Sequence, residues 1–181
     1  MAAQNLEELF DFETNFELAA QSFIEQELDI PVSMIYRTLE DDDFEFPRIH
    51  VQFEVGEALD PPGERFDGVA PLAYVKYGAT MTLRIVSDAT QVNSELAHRS
   101  NRAKLRAAME IGASNFTTTI NGEPILPYYE VNYLRPTGST TEAEGDAIES
   151  TLTYQIFFSI KADAWPEEEE ETPPEEGGGE P

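Results

Sequence analysis

The chain contains no cysteine. That excludes disulfide staples, thiolate metal sites and cysteine nucleophiles. Histidine is nearly as scarce: only His50 and His98 are present, far apart and in no metal-ligand spacing. Basic residues are few, 11 Lys and Arg against 36 Asp and Glu in 181 residues, for a formal net charge of −25. A protein that grips duplex DNA replaces condensed counterions with a positive surface, and this composition opposes that. Long apolar runs are missing too. No stretch approaches the roughly 18 apolar residues of a membrane-crossing helix, so no membrane span is expected. The opening residues MAAQNLEELFDFE lack a basic segment followed by an apolar one, so no secretion signal is expected either.

What is present argues for a folded core. Apolar residues make up 40% of the chain and include eleven Phe and seven Tyr, too many for a wholly disordered acidic polymer. Composition shifts sharply after Trp165: Glu167 to Glu171 is a run of five carboxylates, followed by Pro173, Pro174, three glycines and more glutamate. Residues 167–181 are therefore expected to form a flexible acidic tail, and residues 1–166 a single domain. The tail holds eight of the acidic residues, which leaves 28 acidic against 11 basic and a net −17 in the body. Acidity belongs to the domain and not to the tail alone.

Periodicity gives the elements. Leu9, Phe12, Phe16, Ala19, Ala20, Phe23, Ile24 and Leu28 recur at three- and four-residue steps and predict a helix over 9–28, with Asn5 and Glu8 as a capping pair. A short strand is predicted over Met34–Thr38, followed by a polar loop with Asp41, Asp42 and Asp43. Ile49, Val51, Phe53 and Val55 alternate with polar residues, as a half-buried strand does. The linker 58–71, rich in proline and glycine, breaks regular structure; a long strand follows over Tyr74–Val86, expected to bend or to reach beyond the sheet near Gly78. A second helix is predicted over Ser94–Ile111, with Ser94 as cap and Leu96, Ala103, Ala107 and Met109 marking its buried side. After an Asn121–Gly122 turn come a strand at Tyr129–Tyr133, a flexible acidic loop over Pro136–Gly145 and a final strand, Ile148–Ile160. The order α-β-β-β-α-β-β predicts an α+β fold: a mixed or antiparallel sheet of about five strands with two helices packed on one face.

Chemical motifs are sparse. A G-x-S-x-G elbow, a glycine-rich phosphate loop and a G-x-G-x-x-G turn are all absent from the sequence. Glu7, Glu8 and Asp11 could be taken for paired carboxylates, but close acidic pairs arise by chance among 36. Asp41–Asp43 lacks the spacing of a calcium loop and reads as a solvated acidic loop. Both histidines read as surface or subunit-contact residues. No catalytic, cofactor-binding or metal-binding residue is predicted, and the expectation is a protein that is not an enzyme.

The candidate sites are surfaces. Arg99, Arg102 and Arg106 fall on one face of the second helix, with Lys104 beside them, so four of eleven basic residues occupy eight positions of an acidic chain. That stripe is either a solvated face or a contact with an acidic partner, including another copy of the chain. Phe157 stands among polar neighbours on the outward side of the last strand, which fits a covered interface or an ordinary strand buried on both sides. Strands with long loops also suit assembly, because an edge strand can pair with a neighbour through its main chain.

One family resemblance rests on element order. The segments LFDFETNFELAAQSFIEQEL, FPRIHVQFEV, AYVKYGATMTLRIV, SELAHRSNRAKLRAAMEI and LTYQIFFSI follow one another as helix, strand, long strand, helix and last strand. In this the chain resembles the tail terminators of tailed bacteriophages, the class of the lambda-type minor tail protein U. The resemblance implies a virion protein of the tail and neck, assembled in the host cytoplasm as a homo-oligomeric, commonly hexameric ring. Such a ring caps the tail tube, meets the tube protein and the neck or head-completion proteins, and passes DNA without binding it specifically. An acidic lining suits that passage, since like charge keeps phosphate from adhering. Two alternatives stand beside it: another neck or tail-completion protein, and a soluble acidic module that binds a basic protein.

Overall fold

The helical stripe expected over residues 9–28 forms in two pieces, α1 (Leu6–Phe10) and α2 (Phe12–Leu28), joined at Asp11. Asp11 Oδ1 accepts the Thr14 N–H at 3.3 Å, the bond of an N-cap residue, while main-chain bonds from Asp11 to Glu7 and from Asn15 to Asp11 carry the helix across the joint. Phe12, Phe16, Ala19, Ala20, Phe23 and Ile24 are all buried, as their spacing required. The molecule is described here from a computed structural model, in which residues 6–28, 30, 32–34, 46–58, 76–110, 119–120 and 123–164 are described. Asn5, the 41–43 loop, residues 59–71 of the linker and the 167–181 tail lie outside the described residues.

The remaining elements are β1 (Val32–Met34), β2 (Arg48–Ala58), β3 (Lys76–Asp88), α3 (Ser94–Glu110), β4 (Thr119–Ile120), β5 (Glu123–Pro124), β6 (Tyr129–Glu144) and β7 (Ala147–Ile160), ending in a 3-10 turn at Ala162–Ala164. β1 meets the predicted Met34–Thr38 strand at Met34, and residues 35–38 lie outside the described residues. Five strands form one sheet in the order β1-β2-β3-β7-β6, with β1 parallel to β2 and every other pair antiparallel. β4 and β5 pair separately, about the predicted Asn121–Gly122 turn, whose residues are outside the described set. The α+β fold is as expected: a mixed, largely antiparallel sheet with its helices on one face.

Alternation decides which side chains meet those helices. Ile49, Val51 and Phe53 of β2, Met81, Leu83 and Ile85 of β3, and Leu152, Tyr154, Ile156 and Phe158 of β7 share the covered face through their register. An aromatic cluster fixes α2 there. Phe16 stacks on Phe53 at 4.3 Å with planes 3° apart, and Phe12 meets Tyr77 at 4.7 Å and Phe158 at 5.2 Å. Each such ring contributes roughly 1.5–3 kcal/mol by leaving water. Tyr129, also buried, donates its hydroxyl to the Leu9 carbonyl at 2.8 Å and accepts from Asn15 Nδ2 at 3.0 Å, so its polar end is satisfied.

Two local expectations are corrected. Pro136–Gly145 is not a loop: Tyr129–Glu144 is one sixteen-residue strand paired with β7 from Tyr129↔Ile160 to Glu144↔Ala147. β6 is the sheet edge, where proline's missing N–H faces away from the ladder, and register breaks at Val131/Tyr133 and Pro136/Gly138 absorb the irregular residues. Gly145, at φ +56°, opens the two-residue turn into β7. The second correction concerns β3, which stays paired with β7 throughout its length instead of bending or leaving the sheet near Gly78. The irregularity sits in β2, between Val55 and Ala58, where a Cβ on Gly56 would stand 3.2 Å from the Gly78 carbonyl oxygen.

Candidate functional site

α3 presents the arginine stripe as predicted, but its buried side is different. His98, Leu105 and Met109 face the core, whereas Leu96 is 70% exposed and Ala103 and Ala107 are exposed. The helix carries four basic residues, Arg99, Arg102, Lys104 and Arg106, against Glu95 and Glu110. Arg99 pairs with Glu95 at 3.6 Å and Arg106 with Glu110 at 2.9 Å, both one turn apart and both exposed, where solvent screens the attraction. Arg102 is half-buried and reaches across to β6, where it donates to Thr141 Oγ1.

That contact begins a polar chain into the core. Thr141 Oγ1 lies 2.7 Å from Ser150 Oγ, Ser150 Oγ lies 2.8 Å from His98 Nε2, and His98 Nδ1 lies 2.9 Å from Ser87 Oγ. A guanidinium only donates. Thr141 therefore accepts from Arg102, and the hydroxyls of Ser150 and Ser87 can each donate to or accept from the imidazole, so the chain is satisfied with the proton on either ring nitrogen. Burial first, and the Arg102 charge second, hold the His98 pKa below the usual histidine value. Ser150 is fully buried and His98 is 1% exposed, so no substrate reaches the pair. The chain acts as a clamp joining α3 to β3, β7 and β6. Both histidines were expected at the surface, and both are buried; His50 is only 4% exposed. Its pKa is also lowered, by burial and then by Arg48 and Arg84.

The sheet face away from the helices is the second candidate. Phe157 stands there, half-buried, and stacks on Tyr133 of β6 at 5.9 Å between ring centres. Around this pair lie Thr80 and Thr82 of β3, Thr151, Thr153 and Gln155 of β7, and Arg135, Gly138 and Thr140 of β6, placed on one side by register. Charge returns at one end, where Arg84 bonds Glu149 across the strands. There Phe46, Arg48, Val86 and Glu142 help line a shallow concavity of about 390 Å³. A smaller hollow of about 230 Å³ on the helix side is lined by Arg106, Glu110, Ser139 and Tyr154. The Tyr154 hydroxyl, buried beside it, has no hydrogen-bond partner among the described residues. Among those residues, too, no group of three or more His, Asp or Glu is placed to hold a metal ion, and no helix is long and apolar enough to cross a membrane.

The structure thus separates the predicted residues: Arg99 and Arg106 lie on the exposed helix face, Arg102 anchors the clamp, and Phe157 lies on the opposite side of the sheet. Sequence reasoning missed His98, Ser87, Ser150 and Thr141. A signal was present, since Ser150 holds an inward position between Ile148 and Leu152 and an inward hydroxyl needs a partner. No protein-family model matches the chain, and no curated protein matches it.

Proposed function

We propose that the chain is a structural virion protein of the phage head–tail junction, whose copies form a ring that caps the tail tube and joins it to the neck. The observation that carries this reading is a sheet that, among the described residues, is covered by helices on one face, on a strongly anionic chain whose α3 gathers four basic residues. A surface of one charge with one oppositely charged strip favours head-to-tail association of identical copies, the arrangement that closes into rings. The element order resembles that of tail terminators, and a ring with an acidic lumen passes DNA without retaining it. On this reading the protein works in the tail and neck of the virion, in contact with the tube protein and the head-completion proteins.

The test mixes the purified protein with tail tubes and images them by negative stain. Capping of one tube end supports termination, whereas binding to filled heads alone assigns the chain to another station of the neck. A monomer that binds a basic protein tightly and ignores tubes selects the acidic binding module, the reading the net charge of −25 would then favour. Arg99→Glu with Arg106→Glu abolishes ring formation while leaving the fold intact; Arg102 is spared because it anchors the clamp on Thr141.

A further inference from the structure

We infer that the face of β3, β7 and β6 that no described helix covers is where a second copy of this chain docks, sheet against sheet. One residue in five is acidic in this chain, 36 of 181. Yet on β3, β7 and β6, between Glu142 and Glu149 at one end of the face and Glu130 at the other, the positions brought together by register carry no carboxylate; Glu54 of β2, paired with Thr80, stands at the margin of the patch. They are filled by Thr80 and Thr82, by Thr151, Thr153 and Gln155, and by Thr140, with the stacked Tyr133–Phe157 pair at their centre of apolar area.

That distribution selects the occupant. Two chains of charge −25 repel one another wherever carboxylates meet, over a screening length of about 8–10 Å. A face without carboxylates is where such copies come into contact without stacking like charges. A basic protein would be drawn to the acidic surfaces instead. A nucleic acid would find here Arg135 and, toward opposite ends, Lys76 and an Arg84 already held by Glu149, too little charge to hold a phosphate backbone. Threonine suits the contact, because its branched side chain has little rotamer freedom to lose. The two rings supply rigid anchors of the kind that dominate binding energy at interface centres.

Docking occurs through the face and not through the edge. β6 is the exposed edge strand, but Pro136 offers no N–H, two register breaks interrupt it, and Glu142 and Glu144 occupy its far end. Two sheets meeting face to face sit about 10 Å apart with their inner side chains interleaved. The inference goes beyond the ring reading and stands without it.

Sedimentation equilibrium of the full chain tests it. In the Arg99→Glu, Arg106→Glu background, which removes the α3 contact of the ring, the expected result is a mass above that of one copy, rising with concentration and rising again as salt goes from about 50 to about 500 mM, because salt screens the repulsion and no ion pair holds this contact. Thr153→Glu weakens self-association roughly tenfold or more, and Thr153→Val leaves it unchanged or tighter, with circular dichroism unaltered in both. If Thr153→Glu fails to fold, Tyr133→Glu, at a position 43% exposed, places the charge on the same contact and is expected to weaken it as much. A mass of 20.3 kDa at every concentration, or association indifferent to both glutamates, overturns the inference. Association that Arg99→Glu with Arg106→Glu abolishes outright, leaving the mass of a single copy at every concentration, also overturns it and leaves only the contact through α3. Failure to cap tail tubes, with the threonine effects intact, overturns only the ring.

Discussion

His98 Nε2 lies 2.8 Å from Ser150 Oγ across 52 residues of sequence, and this bond ties a helix to the inner strand of the sheet. Protonating the ring costs stability, because the imidazolium would be buried and would stand near the Arg102 charge.

Stability should therefore fall on the acid side of neutrality. His98 and His50 both have folded pKa values below 6.5, from burial first and neighbouring arginines second. Below pH 6.5 the unfolded chain takes up protons that the folded chain refuses, so their contribution is complete above that pH and is lost as the pH drops toward the folded values. Urea unfolding across this range should show the slope, and His98→Gln should flatten it. His98→Ala should lower stability by roughly 2–4 kcal/mol, from a cavity plus the bonds lost by Ser87 and Ser150, of which Ser150 keeps Thr141 as a partner.

Glu17 should behave in the opposite sense. It is 4% exposed and accepts the Phe53 N–H at 3.0 Å, yet burial outweighs that bond and raises its pKa above 4.5. The buried charge is a penalty at neutral pH that disappears as the carboxyl takes a proton. Glu17→Gln keeps an acceptor for Phe53 and removes the charge. A gain of about 0.5–2 kcal/mol at pH 7, shrinking as the pH falls through the carboxylate range, is the expected result in chemical denaturation.

Tyr154→Phe should be neutral or stabilising. The hydroxyl is buried without a partner among the described residues, and burial followed by Glu110 pushes its pKa up, so its proton stays on. Removing a buried, unsatisfied polar atom relieves a penalty of about 1–3 kcal/mol while the ring keeps its packing. Thermal melts of the two proteins decide it; a markedly lower midpoint would mean that the hydroxyl has a partner.

Much of the fold was legible because one sheet face is buried. In β7, Ile148, Leu152, Tyr154, Ile156, Phe158 and Ile160 are buried in strict alternation, and no other register satisfies them. The joint at Asp11 was less visible, since a cap within a continuing apolar stripe leaves the periodicity intact. β6 was misread because Pro136, Gly138 and Gly145 signal loops locally, while pairing to β7 is a property of the partner strand. The turned face of α3 escaped for a related reason. His98 faces inward through bonds to Ser87 and Ser150, neither of them near it in sequence, whereas Leu96 stays exposed. The arginine stripe could be read from spacing, but its division into two exposed ion pairs and one anchor depended on tertiary neighbours.

β7 is the last strand to be synthesised, yet it lies inside the sheet between β3 and β6. During translation β3 must wait with one ladder open until Ile160 has left the ribosome, and only then can β6, β7 and the serine side of the clamp be assembled. Closure is thus a late, all-or-none event dominated by distant contacts, which predicts slow folding and makes nascent chains arrested before that point the species that depend most on chaperones.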